Sequence, residues 1–370
     1  MARSRFGSIK RLGPDHYRLR WSDRGRRKCQ HVRCTREEAI AILAHKQAEI
    51  GGGVPDMTWS TYWNFAAEPS FEGLAEKTVH GYRRVWRVEL EPRIGNKKVS
   101  ATTWRQAESV LNDIQASSVQ RAAFRLWRKI CNFAVRDGLL DRNPVDRSIK
   151  LKRHVKRKKE LIPAEDMGEW LEAIRGSSYE ALFLLEVGGG LRHEEACAMV
   201  WENVERYDAY GRTYVIARVE RGLVMVGGKK ELKDVKNEHS RREVVIGDPF
   251  ASRLLELHLV RGPVRPSVTP YRDGPYTAKH FSTPSAITNN WRNWCDRNGL
   301  FYVRPGDMRS VFATLHGEAG TPDSLVSLAM GHADGGSTKA RNYQQRTRRG
   351  LIVAADSLTD YLLDSMETLR

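Results

Sequence analysis

The sequence predicts a multidomain α+β protein: a small three-stranded sheet plus helix, then a helical bundle, then a mixed, mainly helical domain with a small antiparallel sheet. Three observations predict it. A chain of 370 residues is longer than one hydrophobic core normally serves, so two or three domains are expected. The apolar pattern alternates near the N-terminus, takes helical spacing from about residue 54, and mixes strands with helices after residue 160. Composition marks the joints: Gly51-Gly52-Gly53 after the first segment, and a cationic run from Arg147 to Lys159 after the second. The expected boundaries are 1–50, 54–146, a basic linker at 147–159, and 160–370.

Composition narrows the function. Hydrophobic residues at 40% and charged residues at 29% support packed cores and exclude a fully disordered chain. No stretch approaches the roughly 18 apolar residues of a membrane span. The start, Met1 to Gly7, is basic and lacks the apolar core of a secretion signal. Five scattered cysteines, an odd number, argue against a disulfide scaffold. A soluble, cytoplasmic protein is therefore expected. The net charge of +17 points to a polyanion, most commonly nucleic acid, although ribosomal and membrane-surface proteins share it.

Residues 1–50 hold 13 Lys and Arg against 5 Asp and Glu. Alternating runs at Ser8–Leu12, His16–Trp21 and Arg27–Arg33 are separated by the turn signals Gly13-Pro14-Asp15 and Asp23-Arg24-Gly25. Thr35 and Glu38 form a capping box that opens a helix. Ala39, Ile42, Leu43 and Ile50 share one of its faces, suited to covering the sheet. The other sheet face is Arg-rich, and a sheet can lie in a major groove; a solvated basic domain would read the same way. Cys29, His31 and Cys34 lack a second ligand pair, so packing in a strand is expected rather than a metal.

From Val54 to Asp146 the pattern is helical. A run containing Val79, Tyr82, Val85 and Trp86 begins at Thr78 and should stop before Pro92. Thr103 and Gln106 form a second capping box. A long helix from Ser118 to Asp137 ends at Gly138. Ala123, Leu126, Ile130 and Phe133 make its apolar face, and Arg121, Arg125, Arg128, Asn132 and Arg136 recur on another, a stripe suited to phosphates. In the linker, eight of thirteen residues are Lys or Arg and none is acidic. Such a run is expected to be extended and to touch DNA through Lys150, Lys152 and Arg153.

The third segment carries three blocks. The apolar run Ala181–Val187 leads into Gly188-Gly189-Gly190-Leu191-Arg192-His193-Glu194-Glu195. Glycines free the backbone just before an Arg that opens a helix, and Glu195, three residues on, can hold its guanidinium. Tyr214–Glu220, Gly222–Val226 and Arg241–Ile246 read as strands, with Lys236 just ahead of the polar turn before the last. The third block runs Arg304-Pro305-Gly306-Asp307-Met308-Arg309, then Met330-Gly331-His332, then Asn342-Tyr343. Each block alone fits an ordinary ion pair or a solvated surface.

Order, spacing and context together resemble the tyrosine recombinase (phage integrase) family. Its domain carries Gly-Leu-Arg-x-x-Glu, a β-hairpin Lys, His-x-x-Arg, Gly-His and a Tyr nucleophile. All but one element stand here in that order, over residues 160–350; the two upstream lobes match by architecture only. The resemblance implies that Arg192 and Arg309 clamp the scissile phosphate and that Glu195 orients Arg192. Lys236 would protonate the departing 5′ oxygen, with Lys233 its rival. His332 would hydrogen-bond the phosphate or the nucleophile, and Tyr343 would attack phosphorus to give a 3′-phosphotyrosyl link. Fixed guanidinium forks suit the charge that gathers on the phosphoryl oxygens.

The resemblance also implies an arm-site DNA-binding domain at 1–50, a core-binding domain at 54–146 and a catalytic domain at 160–370. No cofactor or metal is implied. The implied partners are double-stranded DNA at core and arm sites, a homotetramer on DNA, and DNA-bending and excision factors. The implied setting is a bacterial host's nucleoid. Two departures stand out: Gly306 replaces the His of His-x-x-Arg, and Gly335-Gly336 lengthens the segment before Tyr343. Besides integration and excision, a resolvase or invertase of the same chemistry fits, as does a non-catalytic DNA-binding regulator derived from a recombinase. The apolar tail with Leu351, Ile352, Leu358 and Leu362 suits docking on a neighbouring subunit or on its own domain.

Overall fold

The computed structural model describes residues 7–23, 26–49, 56–153, 157–235, 240–261, 267–268, 282–331 and 348–367. The chain divides into two compact units, Met1–Lys156 and Arg157–Arg370, and the division falls inside the basic run. Helices and small antiparallel sheets make up both units. Among the described residues, no helix is long and apolar enough to cross a membrane.

The first unit opens with an antiparallel sheet of β1 (Gly7–Gly13), β2 (His16–Asp23) and β3 (Arg26–Arg33). Helix α1 (Arg36–Glu49) covers one face. Its capping box forms: the Thr35 N–H donates to Glu38 Oε2 at 2.7 Å, and the Glu38 N–H donates to Thr35 Oγ1 at 3.2 Å. Tyr17, Leu19 and Ala39 are buried between the layers, with Ile42 and Leu43 beside them; Ile50 lies outside the described residues. Because side chains alternate across a strand, the pairings Lys10↔Arg18, Arg20↔Cys29 and Arg18↔His31 place those residues on the other face. Cys29 is exposed there instead of packing as an apolar residue.

Helices α2 (Glu76–Val85), α3 (Trp104–Asn112) and α4 (Ser117–Arg136) follow. The expected stop before Pro92 does not occur. A π-helical turn over Trp86–Leu90 leads into a helical turn over Glu91–Ile94. A π turn re-registers the backbone hydrogen bonds, so the missing Pro92 N–H leaves no broken ladder. The Thr103–Gln106 capping box is present. Ala123, Leu126, Trp127, Ile130, Cys131 and Ala134 of α4 are buried in a core rich in aromatics, including a Trp63–Trp86 stack at 4.6 Å.

The first half of the basic run is not free chain. Ile149 is buried in this core and Leu151 packs against it. The Lys150 N–H donates to Glu108 and the Lys152 N–H to Gln120. Two apolar side chains among the cations are enough to dock this segment on the bundle.

In the second unit, β4 (Val204–Ala209), β5 (Arg212–Val219) and β8 (Arg242–Ile246) form a sheet in the order β4-β5-β8. The hairpin of β6 (Arg221–Val226) and β7 (Lys229–Asp234) is inserted between β5 and β8. Around them lie α5 (Met167–Ile174), α6 (His193–Cys197), α7 (Phe250–Arg261), α8 (Pro284–Arg297), α9 (Pro305–Glu318), α10 (Asp323–Met330) and α11 (Arg348–Glu367). The tail helix α11 packs on its own chain, against β8, α9, α10 and α5. Leu351, Ile352, Ala354, Ala355, Leu358 and Leu362 are buried there. Arg348 anchors its start with hydrogen bonds to both oxygens of Glu243 at 2.9 and 3.0 Å.

Candidate active site

The glycine cluster sets up the site. Gly190 has φ +62°, and a Cβ on it would stand 2.7 Å from the Phe312 ring; only glycine suits both the backbone and the space. The turn leads into Arg192, the N-cap residue of α6, with φ −70° and ψ 148°. One turn on, Glu195 reaches back. The Arg192 N–H donates to Glu195 Oε2 at 2.9 Å, and Arg192 Nη1 donates to Oε1 at 2.6 Å. The Arg192 side chain stays 41% exposed, so a ligand can reach it while the carboxylate holds it.

Two further arginines converge on this pair. Arg242, at the start of β8, is buried and donates to Glu195 through Nη2 at 2.8 Å and Nη1 at 3.2 Å. Its Nε donates to the Ala329 carbonyl at 2.9 Å. Arg309, in α9, donates through Nη1 to the Gly190 carbonyl at 2.7 Å and through Nη2 to the Met330 carbonyl at 2.5 Å. Arg242 and Arg309 thus both take carbonyls from the last turn of α10, where the helix dipole favours cations. That helix ends at Gly331 in the left-handed conformation, φ 63°.

The electrostatics follow from the count: among the described residues, two guanidiniums bond one carboxylate and a third lies close enough to feel its charge. Burial alone would raise the Glu195 pKa, but hydrogen bonds and charge from Arg242 and Arg192 outweigh it and hold the carboxyl below its usual range. Arg309 is pushed down to about 10, first by burial and then by the positive charge of Arg192 and Arg242. It remains protonated at neutral pH, crowded by like charge that an arriving anion would relieve.

A buried ion pair supports α6 from behind. Glu186 is almost wholly buried, and His193 Nδ1 lies 2.7 Å from its Oε1. His193 Nε2 lies 3.2 Å from the Pro284 carbonyl at the start of α8 and 3.9 Å from Cys197 Sγ. Burial works against the imidazolium, yet its bonds to Cys197 and Glu186 and the Glu186 charge push the His193 pKa up to about 11. His193 directly follows Arg192, so this pair fixes the backbone from which that arginine projects.

Arg192, Glu195 and Arg309 are thus brought together. Lys236, His332, Tyr343 and the Gly335-Gly336 stretch lie outside the described residues. Lys233 is on β7, opposite Gly222, and its Nζ is 2.9 Å from Glu231 Oε2; β6 packs on α6. Gly306 sits in the first turn of α9, and a Cβ there would meet nothing within 4 Å. In the first unit, Arg121, Arg125 and Arg136 of α4 are exposed and Arg128 is half-buried. Lys150 and Arg153 are exposed, whereas Lys152 donates its ammonium to the Ile114 carbonyl at 2.9 Å.

No family model matches the chain. An integrase of Mycobacterium phage FRAT1 is 26% identical over 303 residues, covering 73% of this chain and 85% of that protein. A XerC-like tyrosine recombinase of Caldanaerobacter subterraneus is 21% identical over 239 residues, covering 60% of each. Among solved structures, the Tn1549 transposon integrase in complex with a circular intermediate DNA superposes with a TM-score of 0.61 at 16% identity, covering 85% of this chain and all of that one. A lambda integrase tetramer bound to a Holliday junction gives 0.54 at 16% identity, covering 92% and 97%. The chain is thus similar in sequence to phage integrases and a XerC-like tyrosine recombinase, and it has the integrase fold.

Sequence reasoning missed Arg242 as a member of the cluster. The signal was present: Arg242, Val244 and Ile246 share a phase in β8, so the arginine falls on the buried face, where a cation needs a partner. It also missed β7, whose sequence Lys229-Lys230-Glu231-Leu232-Lys233-Asp234 carries almost no β propensity. The turn Gly227-Gly228, with φ +55° and +83°, is the hairpin signal that would have found it.

Proposed function

We propose that this chain is a site-specific DNA recombinase that integrates and excises a phage or mobile element, cleaving and rejoining strands through a 3′-phosphotyrosyl intermediate and a Holliday junction. The observation that carries this reading is the cluster of Arg192, Arg242 and Arg309 around the single carboxylate of Glu195. Its net positive charge and prefixed forks suit a phosphoryl group whose oxygens gain charge as it is attacked. Arg192 and Arg309 take the scissile phosphate, while Glu195 and buried Arg242 keep Arg192 in place.

Tyr343 Oη attacks phosphorus as its phenol proton passes to a water molecule, the acceptor left where Gly306 supplies no side chain. The P–O5′ bond breaks, and Lys236, with Lys233 as the alternative, protonates the departing oxygen, while His332 hydrogen-bonds the phosphate. The new ester conserves the phosphodiester energy, so rejoining is the reverse attack by a 5′ hydroxyl. The Arg face of α4, Lys150 and Arg153 hold the duplex backbone, and the basic face of the N-terminal sheet suits a second, arm-type site. Assembly as a homotetramer on DNA, aided by bending and excision factors, completes the reading.

Nicked suicide duplexes built from the ends of the element that carries the gene test it. Full-length protein should form a covalent adduct that Tyr343→Phe abolishes while leaving DNA affinity intact. DNA binding with no adduct would instead favour a regulator derived from a recombinase, the reading that Gly306 supports by offering no side chain to accept the phenol proton.

A further inference from the structure

The second unit holds another cationic recess, separate from the arginine cluster. A cavity of about 380 Å3 lies between α8 and the loop entering α9, lined by Arg157, Thr288, Asn289, Arg292, Tyr302 and Arg304. None of these six residues is acidic. Arg292 lays its guanidinium 3.7 Å from the centre of the Tyr302 ring, which fixes the planar fork while leaving its N–H edge for a ligand. Arg157 is tethered from the rim by Asp307. Arg304 caps α9 through its carbonyl, which accepts the Asp307 N–H at 2.7 Å, and its side chain is exposed. Three guanidiniums therefore face one cavity, with one carboxylate at its edge.

We propose that this recess is a second phosphate site, taking a backbone phosphate of the bound DNA one or two nucleotides from the one held by Arg192 and Arg309. The spacing supports it. Arg304, the N-cap residue of α9, stands five residues before Arg309 within that helix, about 7.5 Å along the axis, against roughly 3.4 Å of rise per nucleotide. The inference rests on the recombinase reading in taking DNA as the polyanion. Its role is positioning: a second fixed phosphate sets the register of the strand at the first.

The test is the salt dependence of binding by full-length protein in the Tyr343→Phe background, using a fluorescein-labelled 30-base-pair duplex. Arg292→Gln with Arg304→Gln should make the slope of log affinity against log salt shallower by about 1, the value of one lost phosphate contact. Arg292→Lys with Arg304→Lys keeps the charge and should keep the slope. An unchanged slope in the Gln pair, or an equal loss in the Lys pair, overturns the proposal. Inorganic pyrophosphate gives the other arm. Loss of its thermal protection in the Gln pair with no change in DNA slope would assign the recess to a free anion and overturn the DNA site. A wild-type chain that forms no tyrosyl adduct would sink the cleavage reading and leave these slopes interpretable.

Discussion

The guanidinium of Arg242 donates two hydrogen bonds to the carboxylate of Glu195, 47 residues earlier in the chain, at 2.8 and 3.2 Å, and both side chains are almost wholly buried. The same carboxylate holds Arg192 and acts through its charge on Arg309, so among the described residues it is the negative centre of the three arginines. Replacing it by Glu195→Gln leaves a buried arginine without its counter-charge, a change that costs about 3–5 kcal/mol. Urea unfolding should show a midpoint lowered to match, and cleavage should fall with it. Because the folded Glu195 pKa is depressed, its contribution is complete above the unfolded carboxyl pKa and is lost as pH falls through the folded value.

Arg309 spends two of its N–H groups on the Gly190 and Met330 carbonyls, which aim what remains of the fork. Arg309→Lys keeps the charge but cannot span both carbonyls and a phosphate with a planar edge. The rate of adduct formation should drop by about 10²–10³-fold, the loss seen when one prefixed donor is removed from a transition-state site. Duplex affinity, which depends on charge, should change far less. An equal loss in both would contradict the assignment.

Gly306 stands in the first turn of a 14-residue helix with open space where a side chain would go. Nothing in its backbone requires glycine, because its φ lies outside the left-handed region. Gly306→Ala should therefore stabilise the protein by about 0.5–1 kcal/mol through the unfolded state. That corresponds to a rise in melting temperature of about 1–4 °C, checked by calorimetry.

What could be seen in the sequence was what periodicity and spacing encode. The Thr35–Glu38 and Thr103–Gln106 boxes, the apolar face of α4, and Arg192 three residues from Glu195 are local relationships, and local geometry realises them. The proline rule ends this helical run before Pro92 because it assumes an α ladder, and the π turn at Trp86–Leu90 removes that assumption. Arg242 was passed over because its partner is far away in sequence; only the folded sheet brings β8 beside α6. The Glu186–His193 pair was invisible for the same reason, since a glutamate in the apolar run Ala181–Val187 reads as an interruption until the histidine that neutralises it is placed.

Two histidines give the stability curve opposite limbs. Burial holds the His316 pKa down at about 4, with Nδ1 3.0 Å from Thr321 Oγ1 and the ring edge-on to Phe312 at 4.3 Å. The unfolded chain takes up this proton near pH 6.5 while the folded one does not. Stability therefore falls as pH drops from about 6.5 towards 4, by at most about 3 kcal/mol. His193 has the reverse sign. Its folded pKa is raised, to about 11, so its contribution is complete below pH 6.5 and drains away as pH rises above that value. His193 stays charged throughout the acid window and cannot mimic His316 there. Urea midpoints from pH 4.5 to 9 should show the wild-type chain most stable near pH 6.5. His316→Gln should flatten the acid limb alone and His193→Gln the alkaline limb alone. Parallel flattening of both limbs by either variant would refute the assignment of the two histidines to separate buried environments.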